Sequence, residues 1–197
     1  MVQKFYHNEQ KKVELILGLT ITALDKYNNR ELDTDSSLCK ALDSSIQLYT
    51  ELNALDKLSS IQSLKATLTT AKRGVNPYTL EKVTIRRNEM ISTAIFKVGQ
   101  ALEEMLRKEI LVVATKLAQA EEMIGQIIIA SIQSGLLKQV QIDDANDQAA
   151  ISKIWKDISE DPGVNLWQKK VQLLVSIYDI YLLCDEVFFK IRNMKIK

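Results

Sequence analysis

The capacity of this sequence for catalysis is limited first by its histidine content. His7 is the only histidine among the 197 residues, so a Ser-His-Asp or Cys-His site would depend on one base near the start of the sequence. Di-iron helical bundles need paired Glu-x-x-His motifs, and zinc sites need Cys and His at short spacing. Neither pattern occurs, and neither do the glycine-rich loops that bind phosphates. We therefore predict no catalytic, cofactor-binding or metal-binding residues.

Paired carboxylates offer an alternative chemistry, because Asp and Glu on facing helices can hold magnesium for nucleotide hydrolysis, as in helical pyrophosphatases. Three such pairs lie in segments of helical periodicity: Glu103-Glu104, Glu121-Glu122 and Asp185-Glu186. Arg107 and Lys108 follow the first pair by four residues, which is the spacing of exposed ion pairs on a helix. We interpret these carboxylates as surface ion pairs, with a magnesium site as the alternative.

A second kind of acidic cluster begins like a calcium-binding loop. Residues 33–37 read Asp-Thr-Asp-Ser-Ser, but Leu38 stands where that loop needs glycine and Ser44 where it needs glutamate. The Asp-rich residues 143–147 lack the alternate spacing of ligands altogether. Both clusters are better explained as helix caps, since Asp, Ser and Thr accept hydrogen bonds from free backbone N–H groups at helix starts.

A basic patch between residues 65 and 87 stands out against a formal net charge of only +1. It is made of Lys65, Lys72, Arg73, Lys82, Arg86 and Arg87, with Tyr78 in the connecting turn as a stacking residue. Glu81 is the one acid within it. The patch suits a docking surface for phosphate backbones or for an acidic partner. A solvated turn whose cations offset a helix dipole explains the patch somewhat better, and the same explanation applies to the run Lys190, Arg192, Lys195 and Lys197.

The elements that must carry these residues are helical. The chain has only 6 Gly and 2 Pro, too few for the turns of a sheet-rich fold, while 46% hydrophobic and 26% charged residues are ordinary for a globular protein. We predict a single all-α domain over residues 1–197, a bundle of about five helices with a long central helix and a long C-terminal helix. Capping residues and apolar spacing place the helices at 8–27, 33–74, 77–138, 144–158 and 166–193.

The third predicted helix has the strongest pattern. Its apolar residues recur every three or four positions, and further apolar residues widen the stripe beyond one face. Asn76-Pro77 is a typical helix start, while Gly74 suits the left-handed cap of the preceding helix. Ser59-Ser60 is the expected weak point of that preceding helix, and Gly99, Gly125 and Gly135 are the positions at which the third could bend. A helix this long and apolar is expected to leave surface for another chain.

The cysteines and the hydropathy of the sequence indicate where in the cell the protein is located. Cys39 and Cys184 lie in apolar helical patterns with no CxxC spacing, so we expect two reduced, buried thiols. Residues 1–12 are polar and do not resemble a signal peptide. The charge-free apolar run Met123 to Leu137 is shorter than the roughly 20 residues that span a bilayer. These features predict a cytoplasmic location and argue against a membrane partner.

The function that fits best is a non-catalytic helical interaction or structural subunit, which self-associates as a homo-oligomer or docks on a protein partner in a larger assembly. One alternative is a nucleic-acid-associated accessory protein that uses the basic patch. Another is a membrane-active helical protein, like pore-forming helical toxins, that exposes Met123 to Leu137 after a rearrangement.

Overall fold

The computed structural model describes residues 4–194 and the side chains of residues 4–193. This part of the chain is all-α, with 80% helix and no strand, which confirms the predicted fold class. It forms eight helices where about five were predicted. They are α1 Tyr6–Asn28, α2 Thr34–Glu51, α3 Leu55–Lys72, α4 Arg87–Gln133, α5 Gln139–Asp143, α6 Gln148–Ile158, α7 Pro162–Leu174 and α8 Ile177–Met194.

The described chain divides into two compact units, each with its own apolar core. The inner unit is Gln10–Leu111, and the terminal unit consists of residues 4–9 and 112–194. Helices α1 and α4 each have residues in both units, and the single-domain interpretation stays a prediction.

In the inner unit, the predicted second helix is two helices, and the break is not at Ser59-Ser60. It lies at Asn53, whose φ of 51° is in the left-handed region. The N–H groups of Asn53 and Ala54 donate to the carbonyls of Thr50 and Tyr49, at 3.1 and 2.9 Å. These two bonds form the Schellman ending of a helix, in which asparagine takes the position that glycine usually holds.

The end of α3 follows the prediction, but the start of α4 does not. Gly74 has a φ of +79°, and the N–H of Val75 donates to the carbonyl of Thr70, which completes a Schellman motif. Pro77 does not begin a helix, because the Oδ1 of Asn76 accepts from the N–H of Tyr78 at 2.9 Å and closes a tight turn. An isolated antiparallel bridge pairs Val75 with Lys82 across this turn, so α4 begins ten residues later than predicted, at Arg87.

Helix α4 is the predicted long helix, with 47 residues. It continues without a break through Gly99 and Gly125, the two positions at which the sequence left a break open, and ends just before Gly135, whose φ is +77°. At Gly99 the reason for glycine is a close approach by α1, because an added Cβ would lie 2.7 Å from Cδ2 of Leu24. Residues of its apolar stripe are buried in both cores, Leu102 and Leu106 in the inner unit and Ile124 and Ile128 in the terminal unit.

In the terminal unit, the C-terminal helix predicted at 166–193 is divided into α7 and α8 at Val175, which is extended. The capping prediction for the fourth helix is also corrected: Asp147, rather than Asp144, caps α6 by accepting from Ala150 N at 2.7 Å. Asp161-Pro162 starts α7, with the Asp161 side chain accepting from Val164 N. No helix of the described residues is both long and apolar enough to cross a bilayer.

Candidate functional site

An apolar groove of about 450 Å³ lies in the terminal unit, between the end of α4 and the start of α7. Its walls consist of Gln126, Ile127, Ala130, Ser134, Leu136, Asp161, Gly163, Val164 and Trp167. Gln126, Ile127 and Ala130 share one side of α4, because Ala130 follows the other two by four and three residues. Asp161 fixes the other wall, since its Oδ1 holds the first turn of α7 through Val164 N at 3.0 Å.

The exposed side of α7 continues the apolar character of the groove. Leu173 is 87% exposed, Leu166 is 59% exposed and Trp167 is 47% exposed. Helix geometry puts Leu166 and Leu173 on one side of α7, since seven residues make almost two whole turns. Lys169 and Lys170 follow Leu166 by three and four residues, so they lie on either side of the line joining the two leucines. We call these five residues the α7 outer face.

The charge of this face has one sign. Helix α7 contains two lysines and no acid between Pro162 and Leu174. Lys170 Nζ lies 4.2 Å from the centroid of the Trp167 ring, in a cation–π contact. The tryptophan therefore presents a large, partly exposed surface next to a cation at the edge of the groove.

Two of the six cations of the predicted basic patch are neutralised in the inner unit. Lys65 pairs with Asp43 and Lys72 with Asp35, the latter at 2.7 Å, so α2 supplies acids to both patch cations that lie on α3. The hydrogen bond from Lys72 holds the pKa of Asp35 below its usual value, against the opposing effect of burial. The same bond raises the pKa of Lys72. These two lysines are committed to the α2–α3 contact.

The remaining members of the patch differ in their surroundings. Arg87 Nη2 donates to the carbonyl of Lys72 at 2.6 Å, so it stabilises the end of α3. Arg86 lies 3.8 Å from Glu89, and both side chains are well exposed. Arg73 and Lys82 are exposed and have no ion-pair partner within the described residues. Tyr78 is 60% exposed, and Lys97 Nζ lies 4.9 Å from its ring centroid.

The carboxylate pairs behave mostly as predicted for surface charges. Glu103 pairs with Arg107 and Glu104 with Lys108, at 2.8 and 2.6 Å, which confirms the four-residue ion pairs. Elsewhere Glu121 pairs with Lys190, and Asp185 lies 3.8 Å from Arg192. Within residues 4–193 no three His, Cys, Asp or Glu side chains come together as a metal site would require. Lys195 and Lys197, the last two members of the second basic run, lie outside the described residues.

The cysteines are both free thiols. Cys184 is buried in the terminal core, and burial raises its pKa far above the usual value for a thiol. Cys39 is half-buried in α2. The expectation of unpaired thiols is confirmed, and full burial holds for Cys184 alone.

A buried carboxylate that the sequence reasoning missed is the most highly connected polar group of the terminal unit. Asp179 is 0% exposed. Its Oδ2 accepts from Ser176 Oγ at 2.7 Å and from Ser176 N at 3.2 Å, while Asp179 N donates back to Ser176 Oγ. This is a capping box at the start of α8. Its sequence signal, Ser-x-x-Asp before an apolar run, lay inside a segment predicted as continuous helix.

The same carboxylate also holds the start of α1. Tyr6 N donates to Asp179 Oδ2 and His7 N to Oδ1, each at 3.0 Å, and His7 Nδ1 lies 2.7 Å from Oδ1. Burial opposes ionisation of Asp179, but the hydrogen bonds from His7, Ser176 and Tyr6 outweigh it and hold the pKa below its usual value. Asp179 therefore binds the positive ends of two helices at once. We call Asp179 with its partners Tyr6, His7 and Ser176 the carboxylate clamp.

The inner unit has a larger cleft, of about 1020 Å³, around the end of α1 and the start of α4. Tyr27 and Ser92, whose hydroxyl groups are 3.0 Å apart, belong to its walls, together with Arg30, Glu31 and Asp35. This mixture of charges selects no particular ligand. Comparisons of the chain with protein-family models, curated proteins and solved structures give no match.

Proposed function

We propose that this protein is a non-catalytic helical interaction subunit that docks on another protein through the groove and the α7 outer face. The observation that carries the proposal is that the partly exposed Trp167 lines an apolar groove, while Leu166 and Leu173 are exposed on the same helix. Single exposed leucines are common on any surface, but a contiguous apolar patch with a polar rim is typical of interaction sites.

The occupant that fits is an amphipathic helix of a partner protein, with apolar residues toward the groove and acids toward Lys169 and Lys170. Fully burying a leucine is worth about 1.5–3 kcal/mol, so Leu166 and Leu173 could together contribute several kcal/mol. Tryptophan is enriched among the residues that dominate binding energies, and Trp167 stands between the groove and the lysines. The two lysines favour an acidic partner because α7 has no acid of its own.

A photo-crosslinking amino acid in place of Leu173 tests this docking site in the native cells. We expect one partner protein to crosslink there through an acidic helical segment, and the double variant Lys169→Glu/Lys170→Glu should reduce the yield at least tenfold. Leu15 is a matched control, since it is 70% exposed on α1 in the inner unit. Equal crosslinking from positions 15 and 173 would contradict the proposal. A crosslinking yield at position 173 that is unchanged in Lys169→Glu/Lys170→Glu would contradict it as well.

The competing occupant of this site is a second copy of the chain. Light scattering after size exclusion distinguishes such self-association from binding of a different protein. A mass of two or more chains that returns to one chain in Leu173→Ser would show that a second copy covers the α7 outer face. In that case the acidic partner helix is wrong. A monomer in both wild type and variant agrees with a different protein as the occupant.

A second candidate function, nucleic-acid binding, draws support from Arg73, Lys82 and Tyr78. These side chains are exposed, and the two cations have no ion-pair partner within the described residues. Binding to short single strands should then weaken steeply with salt. The variant Arg73→Ala/Lys82→Ala should abolish it, whereas Lys156→Ala on α6 should not. Absence of wild-type binding at low salt would exclude this candidate.

The remaining parts of the proposal concern location and membranes. Free thiols at Cys39 and Cys184 suit a reducing compartment, which supports a cytoplasmic location. The membrane-active alternative would require Ile124, Ile127 and Ile128 to leave the core in which they are buried. The absence of liposome leakage at both neutral and acidic pH would exclude that alternative.

A further inference from the structure

The start of the chain is attached to α8 mainly through polar contacts. Residues 4–9, which we call the strap, begin α1, and their first backbone N–H groups have no helical carbonyl to pair with. The clamp supplies the missing acceptors, because Asp179 receives Tyr6 N and His7 N as well as the imidazole of His7. Each of these bonds ends on one carboxylate.

The aromatic side chains of the strap, Phe5 and Tyr6, make further contacts that are partly exposed, whereas Glu9 at the end of the strap is 3% exposed. Phe5 is 37% exposed, and its ring centroid lies 6.0 Å from that of Tyr178. Tyr6 is half-buried against the terminal core, and its hydroxyl lies 3.1 Å from Lys116 Nζ. Such partly exposed contacts contribute little compared with hydrogen bonds to a buried charge.

We infer that the strap is a latch, closed while Asp179 carries its charge and released from α8 when that carboxyl is protonated. A neutral carboxyl is a weaker acceptor and no longer favours the positive ends of two helices. The oxygen that carries the proton also becomes a donor and a poorer acceptor. Release would uncover the part of the terminal core against which Tyr6 packs.

Other ionisable groups face the clamp or belong to the strap, and Glu9 among them is 3% exposed. His7 belongs to the clamp, and its Nδ1–H can donate to Asp179 in the neutral and in the protonated ring alike. Glu186 Oε1 lies 4.0 Å from His7 Nε2, on the exposed side of the imidazole. Lys116 Nζ lies 5.0 Å from the centroid of the Tyr6 ring. Asp179 is the group on which all the strap's clamp bonds converge.

Hydrogen exchange of the full chain, read by mass spectrometry, tests the latch. In Asp179→Asn at neutral pH, the amides of residues 6–9 should exchange roughly 10- to 100-fold faster than in wild type, because charged hydrogen bonds are lost. Amides of α6, which makes no bond to the clamp, should keep their protection. The control Glu186→Gln removes an exposed carboxylate beside His7 and should leave the strap unchanged.

An unchanged strap in a folded Asp179→Asn protein would overturn the inference, and so would equal opening in Glu186→Gln. If Asp179→Asn does not fold, a pH series on the wild type decides instead, with exchange corrected for its intrinsic pH dependence. Strap amides that lose protection at a higher pH than the α6 amides support the latch. A single shared midpoint means that the strap opens only by global unfolding, and the latch is then wrong.

Discussion

Adding one methyl group should stabilise the protein at Gly125 but not at Gly99, although both glycines lie within α4. Alanine is favoured over glycine inside a helix by about 0.8–1 kcal/mol. At Gly125 nothing lies within 4 Å of an added Cβ, so Gly125→Ala should stabilise the protein by about that amount. At Gly99 the new Cβ would meet Cδ2 of Leu24 at 2.7 Å, and such overpacking costs about 1–3 kcal/mol.

The expected result for Gly99→Ala is therefore a net change between about zero and 2 kcal/mol of destabilisation, since the helix gain offsets part of the clash. Urea unfolding followed by circular dichroism measures both variants. The difference between them should be about 1–3 kcal/mol, and it should shrink when Leu24→Ala removes the clashing atoms. Equal stabilisation by the two substitutions would refute the close α1–α4 approach at Gly99.

Three further predictions concern single side chains. Asn53→Gly should stabilise the protein and Asn53→Ala should destabilise it, because only glycine tolerates a φ of 51° freely. Each change in the free energy of unfolding should be about 0.5–1 kcal/mol in urea. A change of the same sign for both variants would contradict the left-handed cap. The free energy of unfolding should fall as pH drops below about 4, because the pKa of Asp179 is lowered in the folded state. The stabilisation from the Asp179 carboxylate is present above the ordinary carboxyl pKa and is lost as the pH falls below it. In an acid titration, Asp179→Asn should show a shallower fall. Trp155→Phe should lower the free energy of unfolding by less than about 2 kcal/mol, against about 3–5 kcal/mol for Trp155→Ala. The reason is that the buried indole N–H has no hydrogen-bond partner within the described residues. Equal losses for the two variants in thermal unfolding would indicate that the N–H does have a partner.

Several local features were predictable because a few adjacent residues decide them. Gly74 ends α3 as expected, since a left-handed residue is needed there and glycine supplies it without strain. The ion pairs of Glu103 and Glu104 follow from helical spacing alone. The all-α class follows from the shortage of turn residues and from apolar spacing over long segments.

The helix boundaries that were predicted wrongly have a common cause: the same short residue pattern is compatible with two different local structures. Asn76-Pro77 can begin a helix or form a turn, and pairing of Val75 with Lys82 selects the turn. Asn53 resembles any polar helix residue, yet it takes the left-handed position that ends α2. Ser176 and Asp179 would be tolerated inside a helix, and their reciprocal hydrogen bonds begin a new one instead.

The candidate sites depended even more on distant partners. The basic patch was visible as a charge run, but Asp35 and Asp43 on another helix neutralise two of its cations. The groove needs the end of α4 next to the start of α7, and neither segment alone indicates it.

Residue types and their spacing by themselves determined that this chain is helical, where its apolar stripes run and which neighbouring charges pair, because those interactions reach only one helical turn. The tertiary structure alone decided the carboxylate clamp, since His7 and Asp179 are 172 residues apart. A buried carboxylate is costly without donors, and those donors come together only once the two helix starts meet.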